Sequence, residues 1–196
     1  MVKPGGKKPD SGQDIEKINR NKPRITVSPV VRFVVLFLIS ILVVSIVFSQ
    51  ISTRYHDRML WLMEFTVTIA GGALSIFSGD VVYSGVNIYY HGFNVEIIDE
   101  CTGLFEMLIY IAAVLSFSTT WRKKIIGFLM GIPTIFVFNL IRIAVLLVVG
   151  AGSFQAFKFM HLYFWQVTLI IMIATIWIAW LYLVVFREKR VMAISG

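Results

Sequence analysis

Residues 125–150 read IIGFLMGIPTIFVFNLIRIAVLLVVG. This run carries a single charge, Arg142, and is longer than the roughly 20 residues needed to cross a hydrocarbon core. The stretch commits the chain to a bilayer, and the composition agrees. Hydrophobic residues make up 58% and charged residues 15%, with mean hydropathy +0.81, against about a quarter charged in soluble domains. A soluble globular enzyme and a disordered chain are both excluded. The formal net charge is +7, from 18 basic and 11 acidic residues. In a soluble protein that excess would suggest nucleic acid. In a chain this apolar it suggests basic residues gathered on one side of a membrane, and no nucleic-acid partner is expected. The length fits one compact helical bundle, not two domains.

Working outward, three further runs are apolar enough to span. The expected spans are 30–51, 102–119, 125–150 and 162–186, within a membrane domain covering 29–190. Loops at 121–124 and 153–160 are expected to separate the later ones. The run 30–51 is too long for a typical signal-peptide core and has no following cleavage site, so it reads as an uncleaved signal anchor. Residues 1–28 are polar, with scattered Gly, Pro, Ser and Lys, and read as a disordered basic cytoplasmic tail lying near anionic lipid.

The outer segment, 52–101, has two parts. Residues 59–78 are apolar but carry a stripe of Glu64, Thr68, Gly71, Ser75 and Ser78 at helical spacing. Such a stripe marks a helix packed on others, or one lying at the interface. Alternation then sets in at Val86, Ile88 and Tyr90, and again at Val95 and Ile97. His91-Gly92-Phe93-Asn94 lies between as a turn, so 81–98 predicts a small outer β-hairpin. Charge orients the whole. The tail, Arg122-Lys123-Lys124, and the trio Arg187, Lys189 and Arg190 are basic, whereas 51–100 holds six acidic and two basic residues. All basic clusters face the cytoplasm if four segments cross and 59–78 does not; if 59–78 crosses, 121–124 falls outside. The expected fold is an all-α integral membrane protein. It has about four transmembrane helices, an amphipathic or re-entrant helix and a small outer hairpin.

Cys101 is the only thiol. An intramolecular disulfide and CxxC-type zinc or redox sites are therefore excluded. Cys101 lies where the outer loop enters a membrane helix, a position that favours thiolate, whereas the neighbouring Asp99 and Glu100 oppose it unless a cation such as Arg142 compensates; it also reads as a small buried hydrophobe. Gly103 would let a substrate backbone approach closely. Arg142 must face a partner within the bundle, because an intramembrane arginine costs at least about 2.5 kcal/mol to insert. With Gly150 taken as the outer end of its helix, Arg142 is about 12 Å below it. Asn139 shares its face. Glu106, an intramembrane carboxylate, would pair with Arg142 or Tyr110, and an Arg142–Glu106 pair serving assembly alone is the bland alternative. His161 sits at the expected outer start of the last helix and is the best-placed general acid/base; His56 and His91 fall in loops. Together Cys101, Arg142 and His161 would suffice for acyl transfer, as nucleophile, oxyanion partner and acid/base. No metal site and no cofactor are expected: a haem would need a histidine mid-span, and none is there.

These residues resemble a family. Cys101-Thr102-Gly103-Leu104, then Trp121-Arg122, then Asn139-Leu140-Ile141-Arg142-Ile143, then His161 look like the exosortase/archaeosortase family, most of all its small exosortase H type. The likeness covers roughly residues 60–180. It implies a membrane-embedded cysteine transpeptidase in the cell (cytoplasmic or inner) membrane, with its active site facing outward. It also implies secreted substrate proteins bearing a C-terminal sorting signal, made of a short motif, a helix and a basic end. By position, Cys101 would be the nucleophile, Arg142 the oxyanion or thiolate stabiliser, and His161 the acid/base. Gly103, Asn139 and Glu106 would support them. A small non-enzymatic membrane scaffold and a transporter or haem subunit are the competing classes.

Overall fold

A computed structural model describes residues 28–186. The reading of 1–28 as a disordered tail and the basic trio Arg187, Lys189 and Arg190 fall outside those residues, except for Ser28. The order of elements is α1 (Pro29–Arg54), α2 (His56–Phe77), β1 (Val81–Ser84), β2 (Asn87–Tyr90), β3 (Phe93–Glu96), a 3-10 turn (Asp99–Cys101), α3 (Leu104–Ser116) and α4 (Trp121–Gly152). Then come α5 (Phe154–Phe159), a π turn (Met160–Phe164), α6 (Trp165–Trp180) and a last π turn (Leu181–Val185). Ser28 caps α1 by accepting from the Val31 N–H at 3.3 Å, and Pro29 follows at the first helical position, where its missing N–H costs nothing.

Four helices are long and apolar enough to cross a membrane: Pro29–Arg54, Met59–Phe77, Trp121–Gly152 and Phe154–Val185. This set differs from the expected one. Met59–Phe77 takes the place of 102–119, whose helix α3 has only 13 residues, about 20 Å. Contacts nevertheless lay α3 and its flanks antiparallel to α1. Ser52 donates a hydrogen bond to Asp99, the rings of Phe48 and Phe105 lie 5.2 Å apart, the Ser40 and Ser116 hydroxyls 3.5 Å, and the Phe33 and Phe117 rings 5.9 Å. From Phe33 to Ser52, α1 rises about 28 Å. The short α3, extended by the 3-10 turn and by Phe117, therefore travels the same path.

α2 has both ends at the sheet end of the bundle. It begins just after α1 and finishes three residues before β1. Its apolar face, Met63, Val67 and Ala70, packs in one cluster with Val81, Ile88, Ile97, Ile143 and Leu147. It is also the least apolar of the four. α2 thus packs on the sheet along one face, and its Phe65 ring stacks on Phe136 of α4 at 6.3 Å. The polar stripe expected to pack or to lie at the interface points outward at Glu64, Thr68 and Ser75. Only Gly71 is buried, because the Tyr83 ring occupies the place of its Cβ, 2.5 Å away.

The expected hairpin is a three-stranded antiparallel sheet, ordered β1-β2-β3. The alternation at 86–97 captured β2 and β3. The extra strand β1 has a continuous apolar start, Val81-Val82-Tyr83, with no alternation to read. The second turn is tighter than expected: only His91 and Gly92 lie between the paired strands, both at positive φ (47° and 79°), the pattern of a type I′ turn.

The opposite end of the bundle is tied by side-chain donors reaching backbone carbonyls of neighbouring helices. Trp180 Nε1–H donates to the Lys123 carbonyl at 2.8 Å, and the Tyr110 hydroxyl to the Gly127 carbonyl at 3.0 Å. Lys124 Nζ donates to the Leu115 carbonyl at 2.7 Å, and Lys123 Nζ to the Val185 carbonyl at 3.4 Å. The Leu115 and Val185 carbonyls stand at the C-terminal ends of their helical segments, where carbonyls lack an intrahelical partner and a cation also meets the negative end of the dipole; the Lys123 and Gly127 carbonyls belong to the first two turns of α4. Residues 121–124 therefore open α4 as its first turn and do not form a loop; the loop is 117–120. Likewise 153–160 is mostly helical, with Ser153 capping α5 through the Ala156 N–H. Gly150 does not end α4. It is buried two residues before the end, where the Phe93 ring approaches within 2.1 Å of the place a Cβ would take.

Candidate active site

Cys101 ends the 3-10 turn that joins β3 to α3. Its N–H donates to the Ile98 carbonyl at 2.9 Å. Thr102, part of the quoted motif but given no role by the sequence, is buried and locks the turn: its hydroxyl donates to the Asp99 carbonyl at 2.7 Å and accepts from the Leu104 N–H at 3.3 Å. Gly103 follows at φ 77°, a conformation that costs any residue with a Cβ. Asn139 then comes in from α4. Its Nδ2 donates to the Cys101 carbonyl at 2.7 Å, and its Cγ would lie 3.1 Å from a Cβ on Gly103. The expectation that Gly103 opens a way for a substrate backbone is corrected: the close approach belongs to Asn139. This side chain is fully buried and fixes the backbone that carries the thiol.

Arg142 lies one turn further along α4, 8% exposed. Its Nη1 is 3.9 Å from Glu106 Oε1, so the carboxylate's partner is Arg142; Tyr110 is engaged elsewhere, with Gly127. The separation is that of an ion pair, well beyond the 2.7–2.9 Å of a charge-assisted hydrogen bond. Glu106 does not clamp the guanidinium.

His161 is not at the start of the last helix. It stands seven residues past Phe154, in the π turn of Met160–Phe164. A π turn inserts a residue into the helical ladder and redirects the face that follows. The imidazole stacks on Phe157 at 5.5 Å and 8°, and Phe157 in turn meets Phe93 of β3 edge-on at 5.2 Å. His161 Nδ1 is buried without a hydrogen-bond partner among the described residues. His91 is remote from this arrangement: exposed at the hairpin tip, it lies 3.5 Å from Asp80.

Cys101, Arg142 and His161 line one cavity of about 250 Å³. The sequence reading missed two of its walls. One is the run 94–98 of β3 and its extension; the other is Phe157. The compensating cation that a thiolate requires here is present but outweighed. Burial pushes the Cys101 thiol above its ordinary pKa, and Glu100 and Glu106 push the same way; Arg142 pulls it down but does not prevail. Loss of solvation outweighs a single cation that is itself shared with a carboxylate.

The fold and cavity define a polytopic helical membrane protein whose one thiol sits beside a buried arginine and a histidine. A family profile described as transmembrane exosortase matches residues 27–188, and the chain belongs to that family. Membership suggests a membrane transpeptidase or peptidase. No curated protein and no solved structure matches the chain.

Proposed function

We propose that the protein is a cysteine transpeptidase that cleaves the C-terminal sorting signal of secreted proteins and transfers them to an acceptor, working at the outer face of the cytoplasmic (inner) membrane. The observation that carries this reading is the single cavity where Cys101, Arg142 and His161 meet from three separate elements. His161 takes the thiol proton, and the sulfur adds to the scissile carbonyl. Arg142 donates to the oxyanion. The C–N bond then breaks, the leaving amine takes the proton from His161, and a thioester remains. An acceptor nucleophile attacks that thioester and regenerates the thiol.

The long Arg142–Glu106 contact supports the oxyanion role, since it leaves guanidinium N–H groups uncommitted. Lysine would keep the charge but lose the planar fork. Arg142→Lys therefore inserts normally and loses about 10²-fold or more in processing rate. Retention of full activity, measured by cleavage of a co-expressed sorting-signal protein, reduces Arg142 to a generic cation. A purely structural pair predicts that outcome, together with a Cys101→Ala variant that works.

The outward orientation is tested by labelling. In a Cys101→Ala background, a cysteine replacing Gly92 reacts with an impermeant maleimide on intact cells, and one replacing Arg122 reacts only after permeabilisation. The reverse pattern refutes the topology.

A further inference from the structure

The cavity beside Cys101 is lined by five consecutive residues, 94–98. A cavity on one face of a strand touches alternate residues, because successive side chains point to opposite faces. An unbroken run means that the cavity lies along the strand's backbone edge. β3 supplies such an edge: β2 pairs with one side of it, and no strand pairs with the other among the described residues. The register fixes which backbone groups face outward. The Ile97 N–H donates to the Val86 carbonyl at 2.8 Å. Opposed pairs of an antiparallel ladder alternate between bonded and non-bonded, so Glu96 opposite Asn87 and Asn94 opposite Tyr89 are the non-bonded pairs. The N–H and C=O groups of Asn94 and Glu96 therefore point away from β2. Both residues are exposed, and β3 leads within five residues to Cys101.

We propose that the β3 edge is the docking rail for the substrate: the residues preceding the scissile bond add to the sheet as a fourth strand. This rests on Cys101 being the nucleophile. The added strand runs parallel to β3. Both chains head toward Cys101, and the residues before the scissile bond must bring their carbonyl end to the sulfur. The N–H and C=O groups of Asn94 and Glu96 offer up to four main-chain hydrogen bonds. Recognition of this kind draws affinity from the backbone and leaves specificity to alternate side chains. It requires an extended, unfolded segment and excludes proline at every second position, where the N–H must be donated. His161 and Arg142, which line the same cavity, then flank the last carbonyl of the strand.

The test uses detergent-purified protein and two electrophiles that alkylate Cys101 by addition of its sulfur across an activated C=C bond, the proton going to the neighbouring carbon. One is ethyl vinyl sulfone; the other is acetyl-tetra-alanine ending in the same vinyl sulfone. Labelling is followed by intact mass. The tetrapeptide labels about tenfold faster or more. Single N-methylation of its amides removes that advantage at alternate positions and spares it at the others. In Glu96→Pro, which loses one outward N–H, the ratio of the two rates falls toward one. A tetrapeptide no faster than ethyl vinyl sulfone, or an N-methyl series with no period of two, overturns the docking rail and leaves β3 a short protected edge. If neither electrophile labels Cys101, the cysteine mechanism itself fails and the rail with it.

Discussion

Cys101→Ala abolishes cleavage of the sorting-signal protein while the variant accumulates in the membrane at the wild-type level. The substitution deletes one sulfur from the cluster that Cys101 shares with Met63, Val67, Ile97 and Ile143, a cost on the order of 1 kcal/mol. The turn itself survives, because its bonds are made by the backbone, Thr102 and Asn139. Activity has no such redundancy, since Cys101 is the only thiol in the chain and a methyl group cannot form a thioester. Two measurements check this: cleavage by immunoblot of the co-expressed substrate, and mass spectrometry of wild-type protein for an acyl adduct on Cys101. Wild-type processing by Cys101→Ala sinks the covalent mechanism and favours a scaffold.

His161→Ala slows processing by about 10²–10⁴-fold, the usual contribution of a positioned acid/base. The loss should fall at the large end, because burial holds the thiol above its ordinary pKa. A neutral thiol at physiological pH needs a proton acceptor, and the unpartnered Nδ1 of His161 is the candidate in the cavity. The sign of the pH effect follows. Raising the pH ionises the thiol without help, so the residual activity of His161→Ala climbs toward alkaline pH more steeply than that of the wild type. His91→Ala, altering an exposed side chain outside the cavity, changes the rate little. A flat alkaline limb in His161→Ala, or near wild-type activity at neutral pH, removes His161 from proton transfer.

Much of this protein was legible without coordinates. Span-length apolar runs, one mid-span arginine and one cysteine are properties of the chain taken a few residues at a time. Hydrophobic partitioning acts on them locally, so membrane class, helical architecture and the candidates Cys101, Arg142 and His161 followed from composition, period and motif. The alternation at 86–97 likewise gave two strands, because side-chain period is a local signal. Glycine was ambiguous for the opposite reason. Gly103 signals that something comes close, and only the fold says that it is Asn139. Gly150 looked like a helix end and is a seat for Phe93.

What the tertiary structure alone decided is how segments far apart in sequence are rotated against each other. The wall formed by 94–98, the π turn that carries His161, the 3.9 Å gap between Arg142 and Glu106 and the packing of α2 on the sheet all depend on crossing angles and side-chain interdigitation. Local spacing carries no information about these. The thiol's environment belongs to the same class. Sequence position put Cys101 near a helix N-terminus, where thiolate is favoured, but burial is a sum over neighbours from α2, β3 and α4. That desolvation outweighs the one nearby cation, because removing water from a charge acts on the whole sphere around it and Arg142 acts from one side only.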